Sequence, residues 1–469
     1  MSLSNLFDGI NAPFLAAGLV LYISAVISGE WYFKAPRERV RFRVLVAAAS
    51  AGSIGILSSG NWLLFVFFLE ILTLSLWSMI SMKEPRAALV YLLSQLAAAG
   101  LILVGTAGVY AHTGSLAIGP VPEPWRVFFM AGFGIKAAFP LLHFWLPEAH
   151  GKAPSPASAL LSGFAVKTGI LGLIRAFPEP FAPLVLIGTV MAFFGAFMAV
   201  FPRDIKRVLA YSTMSHLGFM TAAVGAGSGE IAAAYAFSHA MIKGNLFISA
   251  GIVEKTFGTR DIFALRGSGR LHFAAVAALT AGAFFAAGLP GTASYLLKNS
   301  VISSLGHTAP WWQPFMLTAA GMMAAGYLLN ITAPLFFRDN SKNGTPKHEE
   351  GGNIIFAVLS VTILLLVIAA DSFFPSILHA FRVDTGFTPA SGKLEAFIAS
   401  AAAGLIILLA RLRLKGIPEQ GLPDIKICLS MDEGPLYAFN RVSGCCHPGR
   451  LNTFVFVALV FLVLLMLTL

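Results

Sequence analysis

Apolar runs of about 20 residues, the length needed to cross the hydrocarbon of a bilayer, recur along the whole of this sequence. About fourteen such windows can be drawn, centred near residues 22, 50, 71, 98, 137, 166, 190, 217, 242, 290, 325, 363, 403 and 460. The fold class they predict is all-α, a polytopic membrane protein. Composition agrees, since 57% of the 469 residues are hydrophobic and 12% are charged, whereas soluble domains are roughly a quarter charged.

Charge is distributed as topology rather than as a binding patch. The formal net charge of +10 comes from short loops: KAPRERVRFR (34–43), KEPR (83–86), Lys152, RDIKR (203–207), Lys255 with Arg260, Arg266 and Arg270, then Arg338, Lys342 and Lys347, then Arg411, Arg413, Lys415 and Lys426. Every second loop is basic, while SSGN (58–61), GAGSGE (225–230) and GHTAPWWQP (306–314) carry no Lys or Arg. The positive-inside rule makes the basic set cytoplasmic and places both termini outside, in a cytoplasmic (inner) membrane. Nucleic acid is not the expected partner; the lipid bilayer is. The first apolar run begins near Asn11 after an acidic start and is too long for a signal peptide, so that helix is expected to be retained.

Redox and cofactor chemistry finds no foothold. Cys428 stands alone, and Cys445-Cys446 followed by His447 lacks the paired spacing of zinc or iron–sulfur sites. That pair reads as incidental to a loop. No nucleotide loop, nucleophile elbow or haem motif is present, so neither a cofactor nor a metal is expected.

Five ionisable residues interrupt the apolar runs: Glu70, Lys136, Lys167, Lys243 and Lys298. A charge at the bilayer centre costs about 2.5–3.5 kcal/mol on insertion scales, so each marks an ion or proton path by default. A lone lysine has two other uses, as a structural ion-pair member or snorkelling to the interface. Distance from the window ends argues against snorkelling for Lys136, Lys243 and Lys298. His239 by itself reads more often as a packing histidine. His143, His150 and His216 are placed near helix ends or loops, where His150 and Lys152 can shape a cytoplasmic inlet.

Two windows are broken. Pro140 follows Lys136, and Gly288-Leu289-Pro290-Gly291 precedes Lys298. Proline removes a backbone donor and frees a carbonyl, which lipid cannot satisfy, so breaks persist where protein or water lines them. If the second to sixth and seventh to eleventh helices form two five-helix units, the broken helix is the fourth in each, and the odd length inverts one unit against the other. The expected divisions are 1–40, 41–177, 178–340 and a C-terminal extension 341–469 with three further spans. That extension reads as an interaction element, with polar segments at 340–351 and 414–450.

The residues themselves then point to a family. The segment GFGIKAAFPLLHFWLPEAHGKAPSPASALLSGFAVKTGILGLIR (132–175) resembles the signature region of the antiporter-like subunits of respiratory complex I, of Mrp-type cation/proton antiporters and of membrane-bound group 4 hydrogenases. FVFFLEILTLSLW (65–77), KRVLAYSTMSHLGF (206–219), SHAMIKGNLFISAG (238–251) and AGLPGTASYLLKNS (287–300) are similar too, in family order. The resemblance covers roughly residues 7–340. It implies that Glu70 pairs with Lys136, that Lys167 bridges, that His239 and Lys243 are central, and that Lys298 is the second broken-helix lysine. DGINAPFLAAGLVLY (8–22) resembles the start of the family's third helix, so the first two helices are expected to be missing and to be replaced by a small membrane subunit.

The implied function is proton, or sodium, translocation along Glu70, Lys136, Lys167, His239, Lys243 and Lys298, within a multisubunit complex driven by a redox module. The alternative is membership of an Mrp-type antiporter driven by the proton gradient. A scaffold that has lost transport is disfavoured, because the whole charged set is retained. Apolar surroundings weaken a lysine's hold on its proton and a nearby carboxylate strengthens it, so the Glu70–Lys136 pair is expected to act as a switch.

Overall fold

The computed structural model describes residues 8–265, 273–288, 292–306 and 309–336. All of them lie in one compact unit, Met1–Leu405. The elements are α1 (Asn11–Tyr32), α2 (Pro36–Ser58), α3 (Trp62–Ser81), α4 (Pro85–Thr113), α5 (Glu123–Lys136), α6 (Trp145–Lys152), α7 (Ser155–Leu160), a π-helical turn (Leu161–Ala165), α8 (Val166–Ala176), α9 (Ala182–Met198), α10 (Ile205–Gly225), α11 (Gly229–Phe257), α12 (Phe273–Ala287), α13 (Ala293–Ser304) and α14 (Trp312–Phe336). Nine of the first eleven sequence windows are centred within these helices, while that centred on 137 falls just past the end of α5 and that centred on 290 lies outside the described residues. The three centred on 363, 403 and 460 lie outside the described residues, as do Pro290 and the 340–351 and 414–450 segments.

Local sequence sets the helix ends. Asn61 caps α3 by accepting from Leu64 N at 2.8 Å, and Asp204 caps α10 by accepting from Lys206 N at 2.8 Å, each taking up a donor that the first helical turn leaves free. Proline opens α2 and α4 at positions where its missing N–H is not needed.

Among the described residues, six helical stretches are long and apolar enough to cross a membrane: α1, α2, α3, α4, the continuous run Ser155–Ala176, and Trp312–Leu335. Leu19, Val44, Phe67, Leu74, Leu89 and Leu96 are exposed on the first four, which suits a surface solvated by lipid chains. α10 and α11 are different. They are buried along almost their whole length and carry the polar residues Ser212, Thr213, His216, Ser238, His239, Lys243 and Asn245 inside. α9 meets α10 closely because both are glycine-bearing there: a Cβ on Gly188 would stand 2.3 Å from Ala222 N, and one on Gly218 2.3 Å from Ala192 N. Small residues of this kind let backbones approach where no hydrophobic force separates protein from lipid.

The connectors divide between two ends. At one end the chain before α1 and the α2–α3, α4–α5, α8–α9 and α10–α11 connectors meet, through Ile118 N to Gly60 O (3.1 Å), Val121 N to Ala176 O (3.1 Å) and Phe181 N to Gly225 O (2.8 Å), with Arg175 Nη2 donating to Asn11 Oδ1 (2.8 Å). At the other end the connectors after α1, α3, α6, α9 and α11 meet. Lys83 pairs with Glu254 at 2.7 Å and donates to Tyr32 OH at 3.1 Å, while Arg260 pairs with Asp204 at 2.8 Å and Glu254 at 3.6 Å. Among the described residues, basic connectors after α1, α3, α9 and α11 thus meet at one end.

One loop is shorter than its charges suggest. RDIKR reads as a basic connector, but the Asp204 cap starts α10 at Ile205, and Lys206 is fully buried. His216 likewise lies near the middle of α10 rather than at an end.

Candidate functional site: a buried train of lysines and histidines

The first break is built by the backbone. α5 stops at Lys136, and Ala138 and Leu141 take left-handed φ angles of 61° and 68° on either side of Pro140, which costs about 1–3 kcal/mol apiece for residues with a Cβ. The freed carbonyls are satisfied by protein: Phe139 N donates to Gly134 O at 2.8 Å, and Trp145 Nε1 to Ile135 O at 2.8 Å. Lys136 is therefore the last residue of a half-helix, buried, with its ammonium at the negative end of the helix dipole. Its Nζ lies 3.7 Å from Glu70 Oε1 on α3 and donates to Gln95 Oε1 on α4 at 3.3 Å.

A second group of residues occupies the centre. The π-helical turn has an unusual hydrogen-bond spacing, and Lys167 Nζ donates to the Ser162 carbonyl within it. Ser162 Oγ is 2.8 Å from Thr213 Oγ1 on α10. On α11, Lys243 Nζ donates to Ser212 Oγ at 2.7 Å and to Leu209 O at 3.2 Å, and Tyr327 OH from α14 reaches the same Ser212 Oγ at 3.0 Å. His239 stands one turn before Lys243, its ring 4.8 Å from that of His216, and His216 Nδ1 is 2.9 Å from Tyr235 OH. His239 is within electrostatic reach of Lys167, His216, Lys243 and Lys298.

Lys298 closes the train at the second break. Gly288, at φ 79°, ends α12, and Lys298 Nζ on α13 donates back to the last carbonyls of α12, Ala286 O at 3.2 Å and Ala287 O at 2.9 Å. Both broken helices thus present a lysine to a helix C-terminus.

The structure brings together Glu70 with Lys136, and separately Lys167, His239, Lys243 and Lys298. Among the described residues no hydrogen bond or ion pair joins Lys136 to Lys167. Sequence reasoning missed Lys206, Ser212, Tyr235 and Tyr327 as members of this interior and placed His150 and His216, both buried, near helix ends or loops; the signal available for Lys206 was the capping aspartate two residues before it. Several polar atoms here have no protein partner among the described residues, including both nitrogens of His239, Nε2 of His216 and Nε2 of His150. Buried polar atoms of this kind are ordinarily satisfied by water.

The family profile described as NADH:quinone oxidoreductase/Mrp antiporter, transmembrane, matches residues 59–325, more than half of the chain, with Glu70, Lys136, Lys167, His239, Lys243 and Lys298 inside the match. The chain belongs to this family. Within it, NADH-quinone oxidoreductase subunit N of Desulforudis audaxviator is 30% identical over 354 residues, 68% of this chain and 70% of its own length. NAD(P)H-quinone oxidoreductase chain 4 2 of Microcystis aeruginosa is 30% identical, across 71% of this chain and 66% of its own. A probable K(+)/H(+) antiporter subunit of Rhizobium meliloti is 33% identical, across 70% of this chain and 36% of its own. The chain spans about two thirds of the first two of these family members and little more than a third of the last.

The fold is shared with chains of three solved complexes. A chain of respiratory complex I from Thermus thermophilus superposes with a TM-score of 0.66 at 24% identity, covering 78% of this chain and 86% of that one. The Mrp complex from Dietzia sp. gives 0.67 at 18%, covering 84% and 85%. The membrane-bound sulfane sulfur reductase, an archaeal respiratory membrane complex, gives 0.68 at 20%, covering 83% and 84%. Family members are thus subunits of multisubunit membrane complexes, and this chain is a multi-pass membrane protein of the antiporter-like class.

Proposed function

We infer that this chain translocates protons, or sodium ions, along its buried charges as one membrane subunit of a redox-driven complex. The observation that carries the reading is the central train itself: His239 lies within electrostatic reach of Lys167, Lys243 and Lys298, and Lys243 within reach of Lys167 and Lys298, among buried polar atoms that call for water. No structural role requires so many buried cations at once. Glu70 and Lys136 stand apart as the switch. When their pair closes, Lys136 holds its proton; when it opens, the proton is released towards Lys167, and His239 relays between Lys167 and Lys243.

On this reading the five-helix units spanning 41–177 and 178–340 are inverted repeats, with the breaks at Pro140 and at Gly288–Pro290 in corresponding helices. About fourteen spans in all are proposed, the last three in 341–469. The face holding Lys83, Arg260 and Asp204 is cytoplasmic and the Asn11–Arg175 face is outside. A cysteine replacing Glu84 should react with a membrane-impermeant thiol reagent in inside-out vesicles but not in right-side-out ones; the reverse pattern would overturn the orientation.

The partners proposed are other membrane subunits and a redox module. A second reading is favoured by the 33% identity to a probable K(+)/H(+) antiporter: membership of an Mrp-type antiporter driven by the proton gradient. Purifying the complex through this chain and reconstituting it in proteoliposomes separates the two. Ion transport that depends on a redox donor, with iron–sulfur subunits co-purifying, is the expected result. Sodium-for-proton exchange with no donor would establish the antiporter instead, and no ion movement under either condition would refute translocation.

A further inference from the structure

The end of α5 lies hard against α4. A Cβ on Gly132 would stand 2.8 Å from Ala98 O, and a turn away from that contact come Lys136 on α5 and Gln95 on α4. The close approach delivers the Lys136 ammonium to the Gln95 side chain, where Nζ donates to Oε1 at 3.3 Å. Both residues are buried.

A glutamine amide can be turned either way, and here its partner fixes the orientation. An ammonium has donors only, so the amide's carbonyl oxygen faces Lys136 and the nitrogen is turned to the other side. That nitrogen, Nε2, is buried with no partner among the described residues, and a donor of this kind is ordinarily satisfied by water. Glu70 supplies the competing acceptor, from α3. An ionised carboxylate is the stronger acceptor and ordinarily closes on a nitrogen cation to about 2.7–2.9 Å, yet the Lys136–Glu70 distance is 3.7 Å. The ammonium is thus shared between a neutral acceptor that is nearer and a charged one that is farther.

We propose that Gln95 is the positioning residue of the switch, the acceptor on which the Lys136 ammonium rests when its pair with Glu70 opens. The proposal rests on the relay reading above. A buried ammonium that left Glu70 with no second acceptor would lose its hydrogen bond outright, which costs more than exchanging one acceptor for another. The amide removes that obstacle without competing for the proton, because it neither takes one up nor gives one away. Without it the pair stays closed and Lys136 keeps its proton. Gln95 carries nothing itself and sets how readily the switch opens.

The test uses the whole complex in membrane vesicles, energised by a redox donor or by an imposed pH gradient, whichever moves ions in the wild type. Gln95→Met keeps the length of the side chain and removes the amide. With assembly intact, ion movement should fall by about tenfold, the scale of one hydrogen bond to a charged group. Glu70→Asp, which withdraws the competing carboxylate by one methylene, is then added. If Glu70 has captured Lys136, the double variant moves ions faster than Gln95→Met alone, a coupling that a packing defect would not produce. Wild-type transport in Gln95→Met, or a double variant no faster than Gln95→Met, would overturn the proposal. Lys136→Ala is measured in parallel: if it is inactive while Gln95→Met transports like wild type, Gln95 is excluded and the relay stands. If Lys136→Ala also transports like wild type, the relay reading falls and this proposal with it. Gln95→Leu serves where Gln95→Met does not assemble, and failure of both to assemble would assign the residue to packing and refute the positioning role.

Discussion

Replacing Lys136 with alanine should abolish ion transport while leaving the complex assembled. The break around Pro140 is held by Phe139 N on Gly134 O and by Trp145 Nε1 on Ile135 O, and neither bond uses the lysine side chain. The loss falls on electrostatics. Glu70 keeps a buried carboxylate that has lost its ammonium 3.7 Å away, and an unpaired buried charge costs about 3–5 kcal/mol when its partner is removed. Glu70 relieves that cost by taking up a proton and staying neutral. The variant therefore assembles with a site that is permanently uncharged and cannot switch. Lys136→Arg separates charge from proton exchange, because a guanidinium keeps the positive charge but does not release its proton in this range. It should assemble and remain inactive. Transport assayed in vesicles, alongside recovery of the intact complex by gel filtration, gives both readouts; wild-type pumping in the alanine variant would refute the switch.

Legibility followed the range of the interaction behind each feature. The helices of the membrane-embedded part were readable because lipid imposes one rule on every residue of a run, and a window of apolar residues records that rule locally. The break at Pro140 was readable for the same reason, since a missing N–H is a property of one residue. Its geometry was not: the left-handed turns fall on Ala138 and Leu141, residues with no intrinsic preference for that region, and are held there by the surrounding structure. The π-helical turn at Leu161–Ala165 has no residue signature either. Lys206 was read as a loop charge because its neighbours Arg203 and Arg207 are basic, yet its side chain reaches Ala153 O, 53 residues away in sequence. His150 and His216 were placed near helix ends or loops. Their burial depends on Phe247 and Tyr235, which only the assembled bundle brings near. The five buried charges were legible as interruptions of apolar runs, while their roles in a relay came from family resemblance; the fold puts His239 within electrostatic reach of Lys167, Lys243 and Lys298.

Lys243 should be as indispensable as Lys136, and for a reason that its surroundings make testable in isolation. It is fully buried, and its ammonium rests on Ser212 Oγ and Leu209 O. Neither acceptor depends on it, because Tyr327 OH also reaches Ser212 and Thr213 Oγ1 also donates to Leu209 O. Lys243→Met, nearly matched in length, therefore removes a charge from an apolar interior without stranding a polar neighbour, so thermal stability of the complex should hold or rise. Transport should fall by about a hundredfold, the scale for loss of a positioned proton carrier. Lys243→Arg supplies the complementary arm, restoring the charge next to Lys167 and Lys298 but not a group that gives up its proton. If charge alone organised the interior, arginine would rescue; if proton exchange is the function, both variants fail alike. Parallel measurement of melting temperature and ion flux decides between these, and rescue by arginine would move Lys243 from the relay to a purely electrostatic support.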